Sequence, residues 1–258
     1  MSQPPEDSTV EAWRSAITQA DGQELRIRGE AVTTLMREAS YCDVVGLLLS
    51  GRRPDAGERR ILDSILVAIA DHGAGAPSAA AARVVATGNR QAPEAAVAAG
   101  ILAIGDAHGG AGLACFQLIE QSIGRAAREA LSIDDMARVV IDEARHAKRR
   151  LPGFGHRMYR EDPRSVVLLA LADELGKAGD GVRFVRAVER AFSQSTKPIP
   201  VNVDGAIAGV LFDMAYPALS AKLIFIIGRT AGLAAHVIEE YTRERPMRIK
   251  IPVTYDGP

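Results

Sequence analysis

Apolar residues recur at helical spacing along almost the whole chain, and this pattern limits the possible folds most strongly. The helix predicted over residues 56–69, for example, follows Asp55, with Glu58 three residues later at the spacing of a capping box. A short helix is predicted at 10–20, and alternation of polar and apolar residues predicts one short strand at 23–29. Because strands and helices do not alternate, the predicted fold class is all-α.

Composition and charge exclude several functions. Aromatic residues make up only 5% of the 258 residues, so the helices are expected to pack closely through small side chains. A net charge of -1 argues against a nucleic-acid partner, which requires a basic face. The sequence shows no apolar run of membrane-spanning length and no signal-peptide core, so we expect a cytoplasmic protein without membrane contact. Cys42 and Cys115 lie in apolar helical patterns without pairing spacing, which predicts buried free thiols.

One loop, residues 151–164, combines glycine, proline and basic side chains in the order Leu-Pro-Gly-Phe-Gly-His-Arg-Met-Tyr-Arg-Glu-Asp-Pro-Arg. Its glycines allow backbone to approach a ligand closely, and three arginines follow His156 within eight positions. This central loop therefore predicts a local anion site. The alternative is a Gly-Pro turn that leads into a helix near Asp162, with the arginines on a solvated face.

Three histidines and one aspartate each lie beside a glycine, where a predicted helix begins or ends. They are His72, His108, His156 and Asp204. Such positions point side chains into clefts, near helix N-termini that favour negative charge. Taken singly, Asp204 can be an N-cap, and any one histidine can satisfy a buried carbonyl group. Together with Arg164 and Arg229, however, they favour a site for an anionic substrate.

Five segments in this order resemble the motifs of the citrate synthase superfamily. They are residues 70–73, 105–111, 151–164, 201–205 and 227–232, and residues 28–29 and 39–54 resemble the superfamily's N-terminal part. The resemblance implies a citrate synthase-like, all-helical fold. It also implies a large domain at 1–112 and 201–258, and a small domain at 113–200 that closes over the site and excludes water.

The resemblance also assigns roles to individual residues. Asp204 is expected to move the proton on the acetyl carbon, His108 to hydrogen-bond the thioester oxygen, and His156 to polarise the carbonyl group of oxaloacetate. Substrate carboxylates are expected at His72, Arg164, Arg229 and Arg245. The CoA-binding residues are expected to be Gly153, Phe154, Gly155, Arg157 and Arg160. Arg245 would reach the partner's site in an obligate homodimer; alternatively, it is an exposed charge beside a helix end.

The residues around two motifs distinguish reactions within the superfamily. Residues 70–73 (Ala-Asp-His-Gly) and 202–205 (Asn-Val-Asp-Gly) are more similar to the citryl-CoA lyase module of ATP citrate lyase, which has about the length of this chain. We therefore predict cleavage of citryl-CoA to acetyl-CoA and oxaloacetate. His108 resembles the synthase histidine, so condensation of an acyl-CoA with oxaloacetate or another 2-oxo acid is the alternative. A protein of another class, which binds CoA or a larger complex without turnover, is a third possibility.

The resemblance implies no permanently bound cofactor, with a CoA thioester as substrate or product and citrate or oxaloacetate as the other small molecule. The sequence has no Gly-x-x-x-x-Gly-Lys phosphate loop, so a separate citryl-CoA synthetase would have to activate citrate with ATP. We predict no metal site. His146 and His236 lie within helical patterns without partners at ligand spacing, which favours a surface or packing role.

Overall fold

The computed structural model describes residues 13–155, 160–193 and 199–258. Eleven helices and one small sheet occur in these ranges, which confirms the predicted all-α fold class. The chain forms two compact units, of which one ends at Pro54 and the other begins at Asp55. The predicted large domain at 1–112 and 201–258 and small domain at 113–200 stay a prediction.

The first unit joins a small antiparallel sheet to two helices. In chain order its elements are β1 (Thr18–Ala20), β2 (Leu25–Ile27), β3 (Glu30–Ala31), α1 (Val32–Glu38) and α2 (Tyr41–Ser50). Arg28 and Gly29 form the two-residue turn between β2 and β3, and both have the positive φ that a type I′ hairpin turn requires. The helix predicted at 10–20 is wrong in its described part, because β1 pairs with β2 and this pairing outweighs a weak helical pattern.

The second unit consists of packed helices. They are α3 (Ala56–Ile69), α4 (Pro77–Gly88), α5 (Pro93–Leu102), α6 (Ala111–Glu129), α7 (Ile133–His146), α8 (Pro163–Glu174), α9 (Asp180–Ser193), α10 (Val203–Asp213) and α11 (Ser220–Arg243). Helix α10 is buried along most of its length between α6, α8 and α9. Helix α11 contacts α3, α4, α5 and α6. The first turn of α10 and the middle of α11 therefore lie in the interior.

Small side chains form much of the core between α4, α5 and α11. Five buried alanines pack there against Leu233 and Val237: Ala76, Ala79, Ala82, Ala86 and Ala96. This arrangement confirms the close packing expected from the scarcity of aromatic residues. Cys42 and Cys115 are both buried, and neither forms a disulfide bond, as predicted.

Helix α11 is the one helix in the described part of the chain with the length and hydropathy of a membrane span. Half of its most apolar window is buried against neighbouring helices. Core helices of water-surrounded domains share this property, so the pattern is weak evidence for a membrane. Its central position instead brings Arg229 into the interior of the second unit.

Candidate active site

Several of the predicted residues lie where four helices meet, near the first turn of α10. The start of α8 is tied to that turn by Asp162, whose carboxylate accepts a hydrogen bond from the Val203 backbone at 3.0 Å. Arg164 and Arg229 reach the C-terminal end of α3, where they donate to the carbonyl groups of Ala68 at 3.5 Å and Ile69 at 2.9 Å. The guanidinium groups of Arg164 and Arg229 thus both lie at the C-terminal end of α3. Arg164 is also bound to Asp162, beside the first turn of α10.

Asp204 lies at the second position of α10. The side chain of Asn202 caps this helix, because it accepts a hydrogen bond from the Gly205 backbone at 3.1 Å. The alternative that Asp204 is the N-cap is therefore excluded. Burial raises the pKa of Asp204 to about 6, and the charge of Asp162 adds to this effect, while Arg164 and Arg229 oppose it. A carboxyl group that titrates near neutral pH can both give and accept a proton.

Arg164 is fixed by the buried carboxylate of Asp162. Its Nε and Nη2 donate to the two carboxylate oxygens at 3.0 and 2.9 Å, in the bidentate geometry that suits guanidinium. Asp162 also accepts a hydrogen bond from the Arg164 backbone at 3.1 Å. Burial alone would raise the pKa of Asp162, but the hydrogen bonds and charge of Arg164 outweigh it and lower the pKa below its ordinary value.

Arg229 is a buried cation, and no carboxylate of the described residues lies within ion-pair distance of it. It is only 2% exposed, and its guanidinium lies 4.9 Å from the centre of the Phe225 ring. Burial lowers its pKa. Because a buried cation is costly without a counter-charge, this position favours an anionic ligand.

His108 lies in a tight turn that precedes α6. The backbones of Gly105 and His108 exchange hydrogen bonds at 2.9 Å. The Nε2 atom of His108 lies 2.9 Å from the hydroxyl group of Ser78, and the Ser78 backbone donates to the same nitrogen at 3.4 Å. Since Nε2 accepts this bond, we assign the ring proton to Nδ1.

The surroundings of His108 favour the neutral form of its ring. Burial lowers its pKa, and the nearby positive charges of Arg229 and His72 lower it further. Arg229 donates to the Ser78 hydroxyl group at 3.4 Å, so the hydroxyl proton is available to His108. A neutral imidazole with its proton on Nδ1 can donate a hydrogen bond to a developing oxyanion.

We expect Ser78→Ala to lower kcat by about tenfold, because it removes one of the two bonds that fix the tautomer and orientation of His108. Steady-state kinetics with citryl-CoA or with acetyl-CoA plus oxaloacetate would measure this. Ser193→Ala is the matched control, since the one bond of that hydroxyl group among the described residues is to the Glu189 carbonyl group on its own helix, at 3.0 Å. Equal rates for the two variants would show that Ser78 does not support His108.

His72 lies in the turn after α3 and is exposed. Its charge contributes to the lowered pKa of His108, which places the two imidazoles within electrostatic reach of each other. The turn itself is formed by Asp71, whose carboxylate accepts a hydrogen bond from the Gly73 backbone at 2.9 Å.

The described first part of the central loop, residues 151–155, lies beside the start of α10. The Gly155 backbone donates to the Pro200 carbonyl group at 2.7 Å, and the Asn202 side chain donates to the Gly155 carbonyl group at 3.0 Å. A Cβ atom on Gly205 would lie only 2.3 Å from the Gly153 carbonyl oxygen, so this crossing requires glycine at 205. Phe154 bridges to Val201 in the same short pairing.

Four predicted residues lie outside this cluster or outside the described ranges. His156 and Arg157 belong to the residues that the structure does not describe. Arg160 is exposed. Arg245 follows α11, is exposed, and makes no hydrogen bond or ion pair with the described residues.

A cleft of about 370 Å³ lies between α6, α7 and residues 149–152, and neither His108 nor Asp204 lines it. The candidate active site is therefore defined by the side chains that converge near the first turn of α10, and not by this cleft. Of these, Ser78 and Asp162 were not predicted to act there. Ser78 follows Pro77 at the start of α4, and Asp162 precedes Pro163 at the start of α8, so both positions read locally as helix starts.

Known proteins that are similar to this chain include citrate synthases and a citryl-CoA lyase. A sequence model of the citrate synthase C-terminal domain matches residues 51–250. The citrate/2-methylcitrate synthase of Bacillus subtilis is 31% identical over an alignment of 228 residues, and the match covers 86% of this chain and 58% of that protein. The chain thus spans little more than half the length of this curated relative.

One solved structure, by contrast, matches this chain over nearly the full length of both proteins. Citryl-CoA lyase from Hydrogenobacter thermophilus superposes with a TM-score of 0.87 and 36% identity, and the match covers 96% of both chains. ATP citrate lyase from Methanosaeta concilii, solved in complex with (3S)-citryl-CoA, gives a TM-score of 0.75 at 20% identity over 96% of this chain and 43% of that one. The second likeness shows the shared fold.

Proposed function

Because the chain belongs to the citrate synthase family, we propose that it cleaves citryl-CoA to acetyl-CoA and oxaloacetate. The observation that carries the proposal is the match to a citryl-CoA lyase over 96% of both chains. The second candidate is condensation of an acyl-CoA with oxaloacetate or another 2-oxo acid, as in citrate synthases. The sequence similarity to citrate/2-methylcitrate synthase favours it.

The proposed cleavage reverses a condensation of an enolate with a ketone. The citryl hydroxyl group loses its proton, with His156 as the proposed acceptor, and the carbon–carbon bond breaks as the carbonyl group of oxaloacetate forms. The electron pair moves onto the thioester as an enolate, whose oxygen accepts a hydrogen bond from Nδ1 of His108. Asp204 then gives its proton to the acetyl carbon, and acetyl-CoA and oxaloacetate leave.

The carboxylates of the substrate are proposed to lie against Arg229, Arg164 and His72. Arg229 supports this role because its buried charge has no carboxylate partner among the described residues. Arg164 is already oriented by Asp162, so little conformational entropy is lost when a carboxylate binds. Gly153, Phe154, Gly155, Arg157 and Arg160 are the proposed CoA contacts.

We further propose a cytoplasmic homodimer in which Arg245 reaches the partner's site. The exposed side chain of Arg245 is compatible with that reach. Closure of the proposed small domain at 113–200 would complete the site and exclude water. The substrate citryl-CoA would come from a separate citryl-CoA synthetase.

A paired assay tests the proposed reaction. The purified protein is incubated with citryl-CoA in one reaction, and with acetyl-CoA plus oxaloacetate in the other, while oxaloacetate, citrate and free thiol are followed. We expect oxaloacetate release from citryl-CoA without free thiol. Rapid citrate formation with thiol release would favour the synthase instead. If CoA binds but acetyl-CoA exchanges no deuterium, the protein is a non-catalytic binder.

A further inference from the structure

Helix α11 holds the end of α3 through three residues on one face. Arg229, Gly232 and His236 are three, four and seven residues apart and therefore lie on the same side of the helix. A Cβ atom on Gly232 would lie 2.2 Å from the Ala70 carbonyl oxygen, so glycine at this position lets the two backbones approach. Arg229 donates to Ile69 on one side of this crossing. His236 lies 3.0 Å from the Asp71 carboxylate on the other.

The contacts of His236 determine its protonated nitrogen. Arg83, buried between Glu239 and Glu240, lies 3.4 Å from Nδ1 of His236. Since a guanidinium group has only donors, Nδ1 must accept. The ring proton then lies on Nε2, which donates to Asp71 Oδ1.

The carboxylate of Asp71 connects His236 to the turn that follows α3. Its second oxygen, Oδ2, accepts from the Gly73 backbone at 2.9 Å, and Gly73 has a φ of 85°. Burial would raise the pKa of Asp71, but backbone hydrogen bonds from Gly73 and His72 and the bond from His236 lower it, so the carboxylate is charged. His72 lies between Asp71 and Gly73, the two residues that this hydrogen bond joins.

We propose that His236 is a positioning residue: through Asp71 it fixes the turn that presents His72 to a substrate carboxylate. The proposal rests on the proposed function for the role of His72. Helix α11 thereby supplies Arg229, a cation for the dicarboxylate, and also His236, which supports His72 as the second binding group. A turn that is already ordered binds its ligand at a lower entropic cost.

Variants of His236, a matched control and Asp71→Asn test the proposal. His236→Leu removes the donor, and His236→Gln keeps an amide donor near the position of Nε2. His146→Leu is the matched control, since His146 is exposed on α7 and, within the described part of the chain, its Nδ1 contacts only the Asp142 carbonyl group at 2.8 Å. The readouts are oxaloacetate affinity by calorimetry, steady-state kinetics, and hydrogen exchange of the His72 and Gly73 amides in the unliganded protein.

We expect His236→Leu to weaken oxaloacetate binding about tenfold with kcat nearly unchanged, and to speed amide exchange at Gly73. His236→Gln should restore most of both. The effects of His236→Leu and Asp71→Asn should not add, because one bond joins the two residues. A purely structural role would not produce this rescue or this split between affinity and kcat.

The outcomes separate this proposal from the proposed function. If wild-type protein neither binds oxaloacetate nor cleaves citryl-CoA, while Gly73 exchange still responds to His236→Leu and recovers in His236→Gln, the proposed function is wrong and the support of the turn stands. If wild-type protein is active, and His236→Leu matches it in affinity and in Gly73 exchange, the positioning role is wrong.

Discussion

Asp204→Asn should lower turnover by about a thousandfold while making the protein more stable. The loss follows because an amide neither gives nor takes the proton on the acetyl carbon. The gain follows because burial, aided by Asp162, raises the pKa of Asp204 to about 6 from an ordinary 3.8. This difference corresponds to a cost of about 3 kcal/mol for the ionised carboxylate at neutral pH, which the amide avoids.

The stability effect has a defined pH dependence. Because the folded-state pKa is raised, folding favours the protonated acid, and wild-type stability falls as pH rises from about 4 to 6. The advantage of Asp204→Asn should therefore be absent near pH 4 and complete above pH 7. Urea unfolding of both proteins across this range measures it. Asp106→Asn, an exposed carboxylate in the loop that carries His108, should change neither stability nor rate.

The same pKa predicts opposite pH profiles for the two directions of reaction. Cleavage requires protonated Asp204, so kcat/KM for citryl-CoA should rise as pH falls from 8 towards 6. Exchange of the acetyl-CoA methyl protons requires the carboxylate and should decline below pH 6. If Asp204→Asn retains its rate, or loses stability together with activity, the carboxylate is structural and the proposed mechanism fails.

Local signals in the sequence predicted most of the helices and the fold class. The capping box predicted at Asp55 and Glu58 is present at the start of α3. Ser40 and Asp43 form a second capping box, which begins α2 directly after α1. An N-cap forms from neighbours in sequence, so such signals are available before the structure is known.

Contacts between distant residues were not available in the same way. His108 and Ser78 are 30 positions apart, and His236 and Asp71 are 165 apart. The sequence predicted a surface or packing role for His236, because no partner lies near it along the chain. Its partner, Asp71, lies just after the end of α3. Periodicity indicates which face of a helix is buried, but it does not indicate which polar groups meet there. Family resemblance proposed Asp204 and His108 as site residues, whereas the residues that contact them are apparent only in the folded structure.

Asp162 joins the start of α8 to the start of α10. We therefore expect its substitution to lower the free energy of unfolding strongly. Its carboxylate is fully buried and accepts hydrogen bonds from the Arg164 side chain and from the backbones of Arg164 and Val203. Asparagine has one acceptor oxygen and no charge, so it leaves part of the guanidinium and one backbone N–H without a partner. Removing one member of a buried ion pair is typically far more costly than removing an exposed pair.

We therefore expect Asp162→Asn to lower the free energy of unfolding by about 3 kcal/mol at pH 7 and to weaken carboxylate binding, because Arg164 loses its fixed orientation. Asp173→Asn is the control: its partner Arg186 is paired at the surface, and the expected cost is below about 1 kcal/mol. Because Arg164 lowers the pKa of Asp162 despite burial, the wild-type advantage is complete above the ordinary value of 3.8 and is lost at more acidic pH. Urea midpoints at pH 7 and pH 3 measure both effects. If the two variants unfold alike at pH 7, then Asp162 does not hold the starts of α8 and α10 together, and the orientation of Arg164 must have another source.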